Sequence, residues 1–487
     1  MNSSNLLWND FDVYQRRYKK SANALVAMRS VLRDRNPVGS EGDEFLAMFD
    51  RVTAFDANLF TRVWSDPTAY FWTRLGYEFL GNCLAPGSLS ALAEANAKER
   101  GLDGDPHSAL KAHLSDFNRF VLGLAILSGQ DVKFRTPLEV RLPFAIPGTE
   151  LVVEGRELVS LTGFLDDCIQ FERDARSGSL SLTRGTGDAL SCYESPVATI
   201  ADYRLALKPE MFNLPGLAVG GPLLEVSRTF ERQQVGLTEQ ALNTIDRYAP
   251  ASFQHLRTLM RAIALKPPGV GSYTNISHSD LPGSFVCTVI RNEYWMADAF
   301  IHEFYHNRLF FIEELGAFFD RADDNQANAG EFYSPWRNDL RPLHGLLHGL
   351  YVYIPLWRFW FSVASDGDVH GDLLLAARDQ VLRGALQLAV AVAQLRRNAR
   401  FSEFGAEIFN AMAAEVESIF ATTRALRFPR DLPAMTCDDD GVLSRQIGLT
   451  DGRQLSVTEA ILRHADRFDH ARQCEDLDSI VTRCCAS

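Results

Sequence analysis

Apolar residues recur at three- and four-residue spacing along much of the chain, which is the spacing of amphipathic helices. Residues 1–130 show this pattern through most of their length, clearly so in 45–60 and 109–127. Residues 134–162 instead alternate between apolar and polar positions, which predicts strands separated by turns. A further helix is predicted over 238–265. The first half of the chain is therefore expected to be helical and then mixed.

The second half of the chain is again mainly helical, with a short strand before its first long helix. The run SFVCTVI at 284–290 predicts the strand, and 292–315 predicts the helix that follows. Further helices are predicted over 341–361, 372–395, 403–426 and 457–468. We therefore predict an α+β fold that is mainly α, with helical bundle-like regions around a small antiparallel sheet and a zincin-like metal helix.

The length of 487 residues suggests more than one packed region. We expect a helical N-terminal region over 1–130, a mixed α/β region over 131–270, and a helical metal-binding catalytic region over 271–487. The N-terminal helices are candidates for peptide recognition, although no motif in them demonstrates that task. The sequence does not decide the oligomeric state, and a homodimer is compatible with it.

The formal net charge of −13 makes nucleic acid and anionic membranes poor candidates as partners, because both attract basic surfaces. The longest apolar stretch, 345–364, contains His348, Pro355 and Arg358, so it predicts a buried core helix instead of a membrane span. The 8 cysteines include no CxxC pair and are interpreted as reduced thiols. With no targeting segment visible at the N-terminus, we expect a cytoplasmic protein.

The sequence HEFYH at 302–306 is the main chemical signal. Residues four apart lie on one face of a helix, so His302 and His306 can present two imidazoles to one metal ion. Glu303 would then stand beside the metal, where a hydrolase uses such a glutamate to take a proton from metal-bound water. The competing interpretation is a helix in which both histidines are ordinary core or surface residues.

A catalytic metal usually takes three protein ligands, so the pair needs a partner. Glu313 and Glu314 lie too close along the same helix to fold back. The stretch FYSPWRNDLRPLHGLLHG at 332–349 is the better source. It contains His348, which we favour as third ligand, and His344, which stays an alternative; Tyr333 is a further candidate catalytic residue.

Arg337 and Arg341 belong to the same stretch. An arginine binds a carboxylate through two parallel hydrogen bonds, so either could orient an anionic substrate or cosubstrate near a metal. The competing interpretation is that both form salt bridges with a neighbouring carboxylate such as Asp339 or Glu331. Gly345 and Gly349 would let another element approach the helix closely.

HEFYH followed by a loop and then YSPWR, RP and HG resembles the HExxH-motif proteins encoded in gene clusters for ribosomally synthesised and post-translationally modified peptides. The resemblance covers about 272–361. It implies an iron(II) and 2-oxoglutarate-dependent enzyme that hydroxylates the β-carbon of an Asp or His side chain in a precursor peptide. By the same resemblance, His302, His306 and His348 would bind the iron, and Arg337 or Arg341 would hold the 2-oxoglutarate carboxylate.

Three neutral histidines depart from the common non-heme iron site of two histidines and one carboxylate, although a dianionic 2-oxoglutarate would balance the charge. Two other functions stay open. A zinc peptidase or other hydrolase would use the same two-histidine helix with Glu303 as its base, and a binding protein or scaffold would have lost the metal. The intact motif disfavours the scaffold, and the two arginines favour a carboxylate cosubstrate.

Overall fold

A computed structural model describes residues 3–8, 12–102, 104–155, 158–173, 176–182, 190–217, 231–267, 275–320, 331–438, 440–448, 452–468 and 479–484. Its helices are α1 Ser3–Trp8, α2 Asp12–Asp34, α3 Ser40–Val52, α4 Ala57–Trp64, α5 Pro67–Leu84, α6 Ala91–Glu99, α7 Pro106–Ser115, α8 Asn118–Ser128, α9 Glu231–Tyr248, α10 Pro250–Leu259, α11 Glu293–Glu313, α12 Leu343–Ser365, α13 Gly371–Asn398, α14 Glu403–Ala425 and α15 Val457–Asp466. A 3-10 turn spans Pro209–Phe212.

The strands are β1 Val132–Arg141, β2 Phe144–Ala145, β3 Leu151–Gly155, β4 Leu158–Leu165, β5 Cys168–Arg173, β6 Arg176–Ser181, β7 Leu190–Glu194, β8 Val197–Ile200, β9 Tyr203–Leu207, β10 Ala262–Lys266, β11 Ser284–Thr288, β12 Met435–Cys437 and β13 Leu443–Arg445. Helices therefore dominate and the strands form small separate sheets, which confirms the prediction of a mainly-α α+β fold. The zincin-like nature of the metal helix stays a prediction.

The sheet beside the HEFYH helix differs from the small antiparallel sheet that we predicted. Its strand order is β11-β10-β9-β8, and β10 pairs in parallel with both β11 and β9. Both β10 and β11 are buried at every position, which is typical of strands in parallel pairs that are covered on both faces. Two antiparallel sheets, β1-β4-β5-β6 and β2-β3-β7, come earlier in the sequence, and the two-stranded antiparallel sheet β12-β13 comes later.

The single helix predicted over 238–265 was wrong at its C-terminal end. The structure has α9, then a new helix that starts at Pro250, and then strand β10. Pro250 lacks a backbone N–H and suits the first position of a helix, so it begins α10 instead of continuing α9. The run at 262–266 is short and wholly apolar except for its last residue, and such a run does not distinguish a buried strand from a helix by periodicity.

Helix α11 is buried on nearly every face, as its largely apolar sequence requires. The side chain of Asn292 caps its N-terminus by accepting hydrogen bonds from the backbone N–H groups of Tyr294 and Trp295. Helix α11 follows β11 directly and packs against α12. Helix α12, which contains the longest apolar stretch, is a core helix. Among the residues described, no helix has both the length and the apolar character needed to cross a membrane.

The first residues of the protein pack onto α11 through a buried arginine. Arg308 is fully buried, and its guanidinium donates to the carbonyl oxygens of Leu6 (2.9 Å) and Leu7 (3.1 Å) and to the hydroxyl of Tyr14 (2.6 Å). Helix α1 and the start of α2 thus join the hydrophobic core that surrounds α11, while most of the other N-terminal helices form a second core with β1–β7.

We expect Arg308→Met to lower the free energy of unfolding by about 3 kcal/mol, because it keeps much of the side-chain volume but removes three buried hydrogen bonds. Urea unfolding measures the change. The matched control is Arg247→Met, which removes an exposed salt bridge to Asp366 and should change the free energy of unfolding much less. Equal effects of the two substitutions would contradict the anchoring role of Arg308.

Candidate functional site

Helix α11 brings the two histidines of the HEFYH motif together. Their Nε2 atoms, one in His302 and one in His306, lie 3.2 Å apart. Nitrogen ligands bound at 2.0–2.1 Å to a tetrahedral zinc ion would be about 3.3 Å from each other. The pair is therefore spaced as two ligands of one ion would be, in agreement with the expectation that residues four apart share a helix face.

His348 reaches this pair from α12, but through the other side of the His306 ring. The Nδ1 atoms of His306 and His348 are 3.3 Å apart, and the two rings are stacked at 5.5 Å. His306 thus turns Nε2 towards His302 and Nδ1 towards His348. The structure thus places His306 in contact with both His302 and His348, while the function of the three as one ligand set stays a prediction.

Glu313, at the end of α11, lies too close to the histidine pair along its own helix to fold back to it. It instead reaches α12, where its Oε1 atom lies 2.9 Å from Nε2 of His348 and also contacts Nε2 of His344. One ligand atom from each of these three residues lies within 4.8 Å of the others. Only the packing of α12 on α11 creates this group, so its one signal in the sequence is the i, i+4 spacing of the two histidines.

Burial keeps the three imidazoles in the neutral form that metal ions require. It lowers the pKa of His302 to about 4, with the nearby charge of Arg337 adding to the effect. Burial also lowers the pKa of His306 well below its ordinary value, with His302 and His348 contributing. The pKa of His348 is lowered by burial too, although Glu313 opposes the shift. All three rings therefore offer a lone pair at neutral pH.

Glu303 is buried and held by a small polar network. The hydroxyl of Ser277 donates to its Oε2 atom at 2.7 Å, and the side-chain amide of Asn307 donates to the same hydroxyl at 3.0 Å. Burial raises the pKa of Glu303 to about 8, although the Ser277 hydrogen bond opposes the shift. A cation beside this carboxyl group would favour its ionised form. Sequence reasoning missed Ser277 and Asn307, which could have been noticed only as polar residues within apolar surroundings.

The histidines line a cavity of about 720 Å³, a size that suits a small molecule or a peptide side chain. The lining is mixed, with histidines, aromatic rings, two carboxyl groups and two arginines. Its described members are Asn275, Ile276, Ser277, Ile290, Trp295, Asp298, Ala299, His302, Glu303, His306, Phe310, Ser334, Trp336, Arg337, Arg341, His344, Gly345, His348, Gly349, Tyr353 and Cys437.

Arg337 and Arg341 both line the cavity, and both also form the salt bridges that were the alternative interpretation. Each lies close to Asp339, at 3.1 Å for Arg337 and 3.0 Å for Arg341. Backbone hydrogen bonds in both directions between Phe332 and Arg341 close the loop that carries them. The Nε atom of Arg341 is buried without a hydrogen-bond partner among the described residues, so its hydrogen-bonding capacity is only partly used.

A group of packed aromatic rings also lines the cavity. Trp336 stacks on Tyr353 with ring centroids 4.6 Å apart, and Tyr353 meets the edge of His302 at 5.5 Å. A Cβ atom at Gly349 would come within 2.6 Å of the Trp336 ring, so this position needs glycine for the close approach that the sequence predicted. At Gly345 the nearest side-chain atom would be 3.7 Å away, an ordinary contact.

Tyr333 is not among the described residues that line the cavity. Its side chain is buried, and its hydroxyl lies 2.9 Å from Nδ1 of His464 on α15. This contact fixes α15 against the loop that carries the arginines. The catalytic role predicted for Tyr333 receives no support from its position, and it stays a prediction.

Asp298 is a cavity residue that sequence reasoning missed, one turn before His302. It accepts a hydrogen bond from Nε1 of Trp360 at 2.6 Å, and burial raises its pKa from 3.8 to about 6. The folded protein therefore binds this proton more tightly than the unfolded chain does. The resulting stabilisation is complete below pH 3.8 and is lost as pH rises through about 6.

We expect Asp298→Asn to remove this pH dependence, because asparagine stays neutral and can still accept from Trp360. Between pH 4 and 7, the free energy of unfolding of the variant should rise by about 2 kcal/mol relative to that of the wild type. Urea unfolding in the presence of a chelator at several pH values measures this difference. Asp246→Asn, which makes the same replacement at an exposed position, is the control. If the free energies of unfolding of Asp298→Asn and the wild type differed by a constant amount across this pH range, the raised pKa of Asp298 would be contradicted.

The residues fit a divalent transition metal. Two neutral imidazole nitrogens have the separation of metal ligands, a third imidazole adjoins them, and a buried glutamate stands 3.9 Å from His302. Imidazole and carboxylate groups suit both zinc and iron. The two arginines fit a carboxylate in the same cavity.

No family model matches this protein, and no curated protein is significantly similar to it. The resemblance to HExxH-motif proteins of peptide-modifying gene clusters therefore stays a hypothesis that rests on the motif residues themselves.

Proposed function

We propose that this protein is a metal-dependent, peptide-modifying enzyme, and specifically an iron(II) and 2-oxoglutarate-dependent hydroxylase of a ribosomally synthesised precursor peptide. The observation that carries the proposal is the meeting of neutral imidazoles and arginines in one cavity. His302 and His306, with His348 as the third ligand implied by the resemblance, would hold the ion. The peptide and the modified Asp or His side chain follow from the resemblance alone.

The arginines support a carboxylate cosubstrate. Arg341 still has a buried Nε–H group without a partner among the described residues, and Arg337 exposes about half of its side chain, so neither is saturated by Asp339. A dicarboxylate such as 2-oxoglutarate would place one carboxylate on an arginine and leave the keto-acid end for the metal. The aromatic rings of Trp336 and Tyr353 would exclude water from that side.

The proposed reaction is balanced by its cosubstrate. One oxygen atom of O₂ enters the peptide, where a hydroxyl group replaces one hydrogen on a carbon of the modified residue. The other oxygen atom enters 2-oxoglutarate, which loses CO₂ and becomes succinate. A ferrous ion, when bound, supplies the redox chemistry for this exchange. The protein's own residues would bind the keto-acid, position the peptide and limit the access of water.

The test is incubation of the full-length protein with iron(II), 2-oxoglutarate, oxygen and a precursor peptide encoded nearby. We expect succinate and a peptide that has gained one oxygen atom, in equal amounts, with neither formed under nitrogen. Peptide cleavage in an oxygen-free incubation with zinc, with no succinate in the aerobic one, would overturn the proposal.

A zinc hydrolase is the second candidate, and the position of Glu303 favours it. This carboxyl group lines the cavity, and its Oε1 atom lies 3.9 Å from Nε2 of His302, where it could accept a proton from water on a bound ion. The two functions make different demands on Glu303. Glu303→Gln should abolish cleavage by a hydrolase, since a glutamine cannot act as the base, whereas the hydroxylation reaction described above does not use Glu303 as a base.

A further inference from the structure

Two histidine pairs meet at the interface of α11 and α12. His302 and His306 share a face of α11, and His344 and His348 share a face of α12, in each case four residues apart. The pairs touch through the Nδ1 atoms of His306 and His348, 3.3 Å apart. Each pair also has its own glutamate, namely Glu303 for the first and Glu313 for the second. The two groups therefore have the same composition, although sequence reasoning identified only one of them.

The second group has the geometry of a ligand set. A single oxygen atom, Oε1 of Glu313, lies 2.9 Å from Nε2 of His348 and contacts Nε2 of His344. These three atoms all lie within 4.8 Å of one another. Two imidazole nitrogens and one carboxylate oxygen are the ligand types of common zinc sites and of many non-heme iron sites.

The group is also accessible to an ion. The side chain of His344 is 43% exposed and that of Glu313 is 24% exposed, whereas that of His348 is 8% exposed. An ion could thus reach the group from solvent and still be held against a buried imidazole. His348 offers Nε2 to this group while its Nδ1 faces His306, so it connects the two pairs.

We propose that Glu313, His344 and His348 bind a second divalent transition-metal ion, in addition to the ion bound by the His302 and His306 pair. The inference does not depend on which reaction the enzyme catalyses, and it shares only His348 with the ligand set of the proposed function. A neutral imidazole binds an ion through one nitrogen, so a His348 that served both ions would release its N–H proton to solvent and bridge them as an imidazolate. The alternative is that Glu313 merely orients His348 by a hydrogen bond, as carboxylates often do for metal-bound histidines. That alternative gives no reason for His344 to contact the same oxygen atom.

The experiment is a calorimetric titration of the metal-free, full-length protein with Zn²⁺, together with the metal content after gel filtration. We expect two equivalents for the wild type. Glu313→Gln and His344→Ala should each leave one equivalent, and the affinity for the lost ion should fall by more than about 100-fold, beyond the usual effect of removing a partner that only orients a ligand. His302→Ala should also leave one equivalent, but should keep the ion that depends on Glu313.

His370→Ala is the control, because His370 is exposed immediately before α13 and should leave two equivalents. Thermal unfolding with a chelator present checks that each variant folds. One equivalent in the wild type would overturn the second site, as would two equivalents that do not depend on Glu313 and His344. Weaker binding in Glu313→Gln and His348→Ala but not in His344→Ala would assign Glu313 the orienting role instead. None of these outcomes bears on succinate formation, which tests the proposed function separately.

Discussion

His306→Ala is expected to abolish turnover and to remove the ion held by the first histidine pair, while the protein stays folded. His306 is central to the site, because its ring contacts His302 on one side and His348 on the other. A site that loses one of three protein ligands keeps too few donors to hold the ion. The fold should survive, since the imidazole lines an existing cavity and its removal only enlarges that space.

Metal analysis by mass spectrometry measures the loss of the ion, and circular dichroism checks that the protein stays folded. His302→Ala should behave in the same way, and His370→Ala should retain both metal and activity. If His306→Ala kept its full metal content and turned over at the wild-type rate, the site would have to lie elsewhere in the protein.

Arg341→Ala is expected to raise KM for 2-oxoglutarate by about 10- to 150-fold, with metal content unchanged. The size follows from the loss of a charge-assisted hydrogen bond to the cosubstrate, about 1.5–3 kcal/mol. Arg341 is chosen over Arg337 because its side chain is more buried and its Nε atom has no partner among the described residues. Succinate formation at varied 2-oxoglutarate concentration measures the change.

Relative to Arg341→Ala, Arg341→Lys should restore only part of the affinity for 2-oxoglutarate, because lysine keeps the charge but lacks the planar guanidinium group that donates two parallel hydrogen bonds. Arg247→Ala, which removes an exposed arginine that pairs with Asp366, is the control and should leave KM unchanged. An unaltered KM in both Arg337→Ala and Arg341→Ala would mean that these residues only form salt bridges with Asp339. The proposal of a carboxylate cosubstrate would then have no support from the arginines.

Local sequence determined the elements that carry the site. The 3.6-residue period places His302 and His306 on one face of a helix, and the observed helix, Glu293–Glu313, is close to the predicted 292–315. The strand before it was likewise predicted from its run of apolar and β-branched residues. Periodicity failed at 262–266, because a short apolar run fits either a helix or a buried strand until its neighbours are known.

Tertiary structure decided which side chains meet. Glu313 reaches His344 and His348, Ser277 holds Glu303, and Tyr333 turns to His464, although these partners lie 26 to 131 residues apart. Local periodicity specifies which face of a helix is apolar, but it does not specify the neighbour against which that face packs. The contacts of Glu313 depend on how α12 packs against α11, and that packing is set by apolar side chains along both helices. The sequence therefore specified one histidine pair, and the packing of the two helices created the second group beside it.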